Sequence, residues 1–234
     1  MNIDLIISAD DIKKEKIIDK SVVVVDMLRA TSVIATAINN GCNSAIPVLT
    51  IEEALNIACD DKEKYILGGE RKALKIEGFN CSNSPLEYTK SMVQGKTLVM
   101  TTSNGTRAIR GSAGARNILI GALINADAVA KRIVELDNDV IIVNAGTLGE
   151  FSMDDFICSG YIIECVKKYV AVNLSDIATT ANYVYRNNEN VVDFIKYAKH
   201  YKRIMELNFI DDLEYCCKKD IIPIVPEYIN GIIC

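Results

Sequence analysis

Short runs rich in Val and Ile, such as Val22–Val25 and Ile141–Val143, return repeatedly along the chain, and longer stretches with helical spacing of apolar residues lie between them. A chain that alternates in this way has few means of burying both kinds of element. Strands line up into a mostly parallel sheet, and the connecting helices cover its faces. The spacing predicts strands near 3–8, 21–26, 44–49, 64–68, 96–101, 116–121, 139–145 and 222–226. It predicts helices over 31–40, 51–59, 105–111, 125–136 and 152–169, each with a hydroxyl, Asn or acidic residue near its start to satisfy unpaired N–H groups. From 174 to about 218 the pattern turns predominantly helical. The four prolines stand at predicted element edges, and no Gly/Ser/Pro-rich linker, fixed-period repeat or low-complexity tract divides the sequence. The expected fold is α/β, a three-layer α/β/α arrangement with a mixed, mostly parallel sheet and a helical C-terminal segment, forming one domain over residues 1–234.

Composition narrows the function. The 234 residues are 50% hydrophobic and 24% charged, enough for a sizeable core and not the profile of a disordered chain. The net charge of −5 comes from acidic residues spread along the chain, so no general affinity for nucleic acid or anionic membrane is expected. No apolar stretch approaches the roughly 18 residues of a membrane span. The run Leu5–Ile7 is followed by Asp10, Asp11 and lysines, not by a cleavage site, so a cytoplasmic location is expected. Eight cysteines form no Cys-x-x-Cys pair and read as reduced core thiols, Cys59, Cys158 and Cys165 among them. His200 is the only histidine, which excludes metal sites built on two imidazoles. It lies among Lys199, Tyr201 and Lys202 in a charged helix and is expected to be solvated, which argues against a thiol–histidine hydrolase. No Gly-x-Gly-x-x-Gly turn follows a predicted strand, which argues against a nicotinamide oxidoreductase.

Ligands of open α/β sheets bind at the carboxyl ends of strands, and there several loops carry chemistry. The strand Val22–Val25 ends in Asp26, with Arg29 just before a helix. A carboxylate there can hold Mg²⁺ or attack phosphorus, an arginine can grip phosphate, and the plain structural role is a helix cap with its ion pair. Leu28 stands where a haloacid-type phosphatase has its second Asp, which removes most support for that mechanism. Gly68-Gly69-Glu70-Arg71 is read as the loop directly after a strand, with Glu70 a metal ligand, a base or half of a surface ion pair. In the stretch from Gly78 to Glu87, Ser84 can cap a helix beginning at Pro85 and Glu87 can complete a capping box, which leaves Asn83 without a structural task. Thr101-Thr102-Ser103-Asn104-Gly105-Thr106-Arg107 opens a helix with hydroxyls, amides and an arginine, a natural anion cradle. After Val140–Asn144, adjacent Asp154 and Asp155 favour a helix dipole or face a metal. Carboxylates and an anion cradle without a second histidine suggest Mg²⁺-assisted phosphoryl chemistry.

These motifs resemble those of the 2-phosphosulfolactate phosphatase family of the coenzyme M pathway. The family patterns D-x-L-R-A-T-S, G-G-E-R, G-F-D-x-G-N-S-P-x-E, T-T-x-N-G-T-R-A and A-G-x-x-G-x-F-S-x-E-D-x-x-C-A-G appear in order between about 22 and 160, with Asn80, Ser82, Asp154 and Ser159 as departures. The resemblance implies a Mg²⁺-dependent hydrolase converting 2-phospho-3-sulfolactate to 3-sulfolactate and phosphate. It implies that Asp26, Glu70 and Asp155 hold Mg²⁺ directly or through water. Arg107 and the amides of Asn104, Gly105 and Thr106, beside Thr102, would hold phosphate. Arg29 would stabilise the transferring group, and Arg71 with Asn83 or Ser84 would grip the sulfonate or carboxylate. Water attacking in line is the expected nucleophile, with covalent attack by Asp26 as the alternative. Cys158 matches a family cysteine, although its apolar neighbours point to an inert thiol. The expected partner is a small anionic phosphate ester, and the late helices and the apolar segment Ile229–Cys234 suit a homodimer. A phosphatase for a related phosphorylated hydroxy acid and a non-catalytic anion-binding protein of the same fold are the competing readings.

Overall fold

A computed structural model describes every residue except Asp60 and Lys62. The first half of the chain runs β1 (Asn2–Ile6), α1 (Lys14–Ile17), β2 (Ser21–Val25), α2 (Ala30–Asn39), β3 (Ser44–Pro47), α3 (Ile51–Ala58), β4 (Tyr65–Arg71), β5 (Leu74–Lys75), α4 (Lys90–Val93), β6 (Thr97–Thr101) and α5 (Gly105–Gly111). It continues through β7 (Asn117–Gly121), α6 (Ala126–Leu136), β8 (Val140–Asn144), α7 (Met153–Lys167), β9 (Asn173–Leu174) and α8 (Asp176–Arg186). The last elements are α9 (Val191–Ile195), α10 (Lys199–Glu206), α11 (Ile210–Cys216), β10 (Tyr228–Ile229) and β11 (Ile232–Ile233). The predicted alternation of strand and helix and the helical late segment are both present. No described helix is long and apolar enough to cross a membrane.

The central sheet has the order β7-β2-β8-β1-β9, with every neighbouring pair parallel. Its interior strand β2 is buried along its whole length, which explains its unbroken valines: a strand covered on both faces has no use for polar alternation. Val23 and Val25 face a core shared with Val129 and Ile133 of α6 and Ile157 and Ile162 of α7. Val22 and Val24 face the opposite way, onto Val33 and Ile34 of α2 and Ile109 of α5. Helices thus cover both faces of this sheet, as the alternation predicted. Beyond α2 and α5 lies a second sheet, β10-β11-β3-β6-β4-β5, parallel at its centre and antiparallel at both edges. Its Ile66, Leu98 and Met100 close the same core, while α3 covers its outer face, setting Ala54 and Ala58 against Leu67 and Val99.

Two expectations are corrected. Residues 222–226 form no strand, because Pro223 and Pro226 remove two ladder donors. Side-by-side pairing starts later, in the β10–β11 hairpin, where Asn230 and Gly231 take up positive φ in a two-residue turn. The second correction concerns the Gly68–Arg71 segment, which is the end of β4 and not a loop after it. Glu70 and Arg71 pair with Lys75 and Leu74 across a two-residue turn of Lys72 and Ala73, both left-handed at φ 54° and 68°. Non-glycine residues reach that region at a cost. Here the Ala73 N–H donates to Glu70 Oε2 at 2.7 Å, and the Ala73 carbonyl accepts from Arg29 at 3.2 Å. Gly69 allows β4 to lie this close to β6, since a Cβ there would stand 2.0 Å from the Thr101 carbonyl oxygen.

Candidate active site

A cleft of about 510 Å³ opens where the carboxyl ends of β2, β4, β6 and β8 converge. Asp26 and Glu70, only 8% and 7% exposed, provide its acidic floor. Asp26 follows β2 directly. Its backbone N–H donates to Thr31 Oγ1 at 3.1 Å, and its Oδ1 accepts the Ala30 N–H at 3.3 Å, so the start of α2 fixes the carboxylate. Gly105 presses against it from α5, where a Cβ would stand 2.5 Å from Asp26 Oδ2. Burial above all, with the charges of Asp154 and Glu70, pushes the Asp26 carboxyl up to about 6 against the opposing pull of His200 and the Ala30 N–H. Glu70 Oε1 accepts the Ser103 N–H at 2.7 Å while Oε2 holds the Lys72–Ala73 turn.

Arg29 is 2% exposed and reaches the cleft from the start of α2. Its guanidinium pairs with Asp212 of α11 and lies 4.4 Å from the centre of the Phe209 ring. Asp212 also accepts from Ser84 Oγ at 2.5 Å, so Ser84 anchors α11 instead of capping the turn at Pro85. Glu87 closes that loop by accepting the Ser82 N–H at 2.6 Å. Asn83 lines the cleft, is 5% exposed, and its Oδ1 has no hydrogen-bond partner among the described residues. A buried amide oxygen left open costs free energy unless a ligand completes it.

Cations surround the mouth. Lys72 comes from the β4–β5 turn, and Lys199 and Arg203 come from one face of α10 at i, i+4 spacing. Arg203 donates to the Lys72 carbonyl at 3.4 Å, and Lys199 pairs with Glu150 at 3.0 Å. Between them and the floor stands His200. Its side chain is 21% exposed, and its Nδ1 lies 3.2 Å from Oδ2 of Asp154, while the Oδ1 of Asp154 accepts from Ser152 Oγ. Burial draws the imidazole toward its neutral form, but the hydrogen bond and charge of Asp154 prevail and its pKa rises. Asp154 is lowered on balance: burial opposes its charge, and His200 and Ser152 outweigh burial. The expectation of a solvated His200 is therefore corrected, because Asp154 draws the ring into the cleft.

Asp26, Arg29, Glu70, Asn83 and Asn104 all line this cleft, with Gly105 directly behind the Asp26 carboxylate. Asp155, Arg71, Ser84, Thr102, Thr106 and Arg107, also predicted for the site, lie outside its lining. Asp155 accepts the Met27 N–H through Oδ1 and the Gly146 N–H through Oδ2, both at 3.0 Å, and so ties α7 to the loops after β2 and β8. Burial, then the charges of Asp154 and Asp26, raises its carboxyl well above the usual range. Arg71 donates to Thr101 Oγ1 at 2.9 Å and to the Leu49 carbonyl at 3.3 Å. Thr102 and Thr106 bond to each other's backbone at 3.2 and 3.1 Å, and the Thr106 amide is thereby engaged. Arg107 pairs with Asp10 at the surface, about half exposed. Cys158 is fully buried, and burial first, then Asp155, raises its thiol far above the range of a reactive cysteine. Among the described residues, no three His, Cys, Asp or Glu side chains group to hold a metal.

A buried acid pair under a ring of cations, at the carboxyl ends of parallel strands, defines an α/β protein whose site suits a small, multiply charged anion. The sequence profile of 2-phosphosulpholactate phosphatase matches residues 6–231, and the chain belongs to that family. Proteins named probable 2-phosphosulfolactate phosphatase share 71% identity in Clostridium kluyveri, over 100% of this chain and 97% of the relative, and 67% in Clostridium tetani, over 100% of both. One from Clostridium acetobutylicum is 66% identical over 99% of both chains. Three of the four departures from the family patterns do structural work: Asn80 accepts the Leu67 N–H at 2.8 Å, Ser82 donates to Glu87 at 2.8 Å, and Ser159 donates to Asn144 at 2.5 Å. The fourth, Asp154, holds His200.

Proposed function

We propose that the protein hydrolyses 2-phospho-3-sulfolactate to 3-sulfolactate and phosphate, with Mg²⁺ as cofactor, in the cytoplasm and in the coenzyme M pathway. The observation that carries this reading is the single cleft that combines the acidic floor of Asp26 and Glu70 with Arg29 and the Lys72–Lys199–Arg203 rim. The substrate has phosphate, carboxylate and sulfonate groups, and a protein of net charge −5 must gather cations locally to bind it.

The residues present fit Mg²⁺. Asp26 is a carboxylate whose pKa burial raises, Glu70 is a second hard oxygen donor, and the Asn83 Oδ1 lacks a partner among the described residues. Mg²⁺ takes one or two carboxylates and completes its shell with water and phosphate oxygens, so a donor set of this size suffices. When bound, the ion would neutralise charge developing on the phosphoryl oxygens. Asp155, with each oxygen engaged by an amide, is replaced in this role by Asn83. Arg29, held in orientation by Asp212 and Phe209, faces the transferring group with a planar fork. Lys72, Lys199 and Arg203 take the sulfonate and carboxylate in place of the more remote Arg71 and Arg107. A homodimer is the proposed assembly, with exposed Ile229 and Ile232 as apolar contacts; sedimentation showing a monomer at assay concentration overturns it.

Phosphate release from 2-phosphosulfolactate and from a panel of phosphorylated hydroxy acids, with Mg²⁺ and with chelator, tests the reading. Chelator-sensitive turnover that favours the sulfonate is expected. Metal-dependent turnover of another ester alone would reassign the substrate, and binding without turnover by folded protein would make this a non-catalytic anion-binding member of the family.

A further inference from the structure

Departure of the alcohol from a phosphate monoester needs a proton as well as positive charge. A secondary alkoxide is a strong base and a poor leaving group, so the P–O bond breaks readily only if the bridging oxygen is protonated as it leaves. Few groups in the cleft can deliver that proton. A guanidinium is a poor proton donor, which sets the arginines aside. Asp26 and Glu70 form the acidic floor, Lys72 is exposed at the tip of its turn, and Lys199 is 90% exposed and paired with Glu150. His200 remains. It is the chain's only histidine, it lines the cleft, and its Nδ1 is occupied by Asp154, which leaves Nε2 as the ring nitrogen able to serve a ligand. Asp154 is itself 1% exposed and is fixed by the Ser152 hydroxyl, so the ring is aimed by a buried carboxylate and does not swing in solvent. An orienting acid, an imidazole in the cleft lining and a second ring nitrogen left for a ligand are the parts of a positioned proton donor.

We propose that His200, oriented by Asp154, is the acid that protonates the bridging ester oxygen of the substrate as the P–O bond breaks. The inference rests on the phosphatase reading. In the step, the electron pair of the scissile P–O bond passes to the bridging oxygen, which takes the proton from His200 Nε2 and leaves as the 3-sulfolactate hydroxyl. A new P–O bond forms to water, whose displaced proton passes to solvent or the phosphate product. The neutral ring, still donating from Nδ1 to Asp154, regains a proton from solvent before the next turnover. His200 is thus a catalytic residue, and Asp154 a positioning residue.

The test compares 2-phosphosulfolactate with its bridging-sulfur analogue, which carries the same anionic groups but expels a thiolate that needs no proton. His200→Gln is expected to lower kcat on the oxygen ester by about 10²–10⁴-fold and to change turnover of the sulfur analogue only a few-fold. Equal losses on both esters, or no loss on either, overturn the proposal. Should wild-type protein not accept the sulfur analogue, His200→Ala with added imidazole decides: restored turnover of the oxygen ester supports the acid role, and no rescue of folded variant overturns it. For Asp154→Asn, the single histidine gives one pair of ring ¹⁵N resonances. A shift away from the Nδ1–H form together with a loss confined to the oxygen ester is expected, whereas an unmoved signal overturns the positioning role. Wild-type protein inert toward every phosphate ester would instead defeat the phosphatase reading itself.

Discussion

The two walls of the cleft come from different parts of the chain and are held by different means. The strand-end wall is built by the termini of β2, β4, β6 and β8, where nearly every polar group is engaged by the backbone of a neighbouring loop. Glu70 alone connects the β4–β5 turn to the loop after β6, at 2.7 Å on each side. The opposite wall is α10, whose only buried residue is Ile204 and whose Lys199 and Arg203 line the cleft mouth from a solvated helix. The first wall fixes positions and the second supplies charge. Substitutions on the two walls therefore separate: those on the strand ends change stability as well as turnover, and those at Lys199 and Arg203 of α10 change binding alone.

The largest effect belongs to the floor. Asp26→Asn is expected to lower kcat at least about 10³-fold, since it removes a proposed Mg²⁺ donor from beneath the phosphoryl group. It is also expected to stabilise the metal-free fold. The folded pKa of Asp26, about 6, lies above the ordinary 3.8, so the folded state holds its proton more tightly than the unfolded state. This group's contribution to stability therefore falls as pH rises from about 4 to 6, and the cost of its buried charge is fully present above 6, where it amounts to ~3 kcal/mol at most. Thermal melts in chelator should show the Asn variant more stable at pH 8, with the advantage fading toward pH 4. Mg²⁺ should raise the melting temperature of wild type and not of the variant. An Asn variant less stable than wild type at pH 8 would refute this account of the floor.

Asp155→Ala probes the same wall from behind. Two buried amides, those of Met27 and Gly146, lose their acceptor, which costs roughly 2–4 kcal/mol, offset in part by release of a carboxyl that burial disfavours. A fall in melting temperature of roughly 5–15 °C is expected, and Asp155→Asn, which keeps one acceptor, should lose less. If metal affinity vanished while the melting temperature held, Asp155 would be a ligand after all and the division between site and scaffold would fail. On the other wall, Lys199→Ala with Arg203→Ala is expected to raise KM for the sulfonated ester about tenfold while leaving kcat and the melting temperature nearly unchanged, the pattern of lost ground-state binding. A collapse of kcat would mean that α10 sets geometry as well as charge.

This division also explains what the sequence made legible. The strand ends could be located because a buried parallel strand requires continuous Val and Ile, and a ligand site in such a sheet follows the strand ends; Asp26, Arg29, Glu70, Asn83 and Asn104 emerged from that logic. Which of several neighbouring polar side chains turns into the cleft was not legible. Asp154 and Asp155 are adjacent in the first turn of α7, and only the path of the loops decides that Asp155 meets two amides while Asp154 meets His200. The α10 wall left a fainter mark. Lys199 and Arg203 four residues apart, with the only histidine between them, share one helix face, but nothing local says that this face covers a cleft formed by strands some hundred residues earlier. The Lys72–Ala73 turn was hidden for another reason, because its left-handed residues are not Gly or Asn and depend on Glu70 and Arg29 to hold them.

The smallest expected effect sharpens the comparison most directly. Arg107 belongs to the longest anion-cradle motif in the chain, and a reading of sequence alone gives it the phosphate. In the fold it leaves the cleft and pairs with Asp10, with both side chains about half exposed to solvent. An exposed ion pair of this kind contributes about 0–1 kcal/mol and is screened by salt. Arg107→Ala should therefore change kcat/KM by less than about threefold and stability by no more than ~1 kcal/mol, in contrast to the α10 double variant, whose residues carry no motif. A loss of kcat/KM of a hundredfold or more in Arg107→Ala would mean that Asp10 releases the guanidinium when substrate binds. The strand-end wall would then supply charge as well as position.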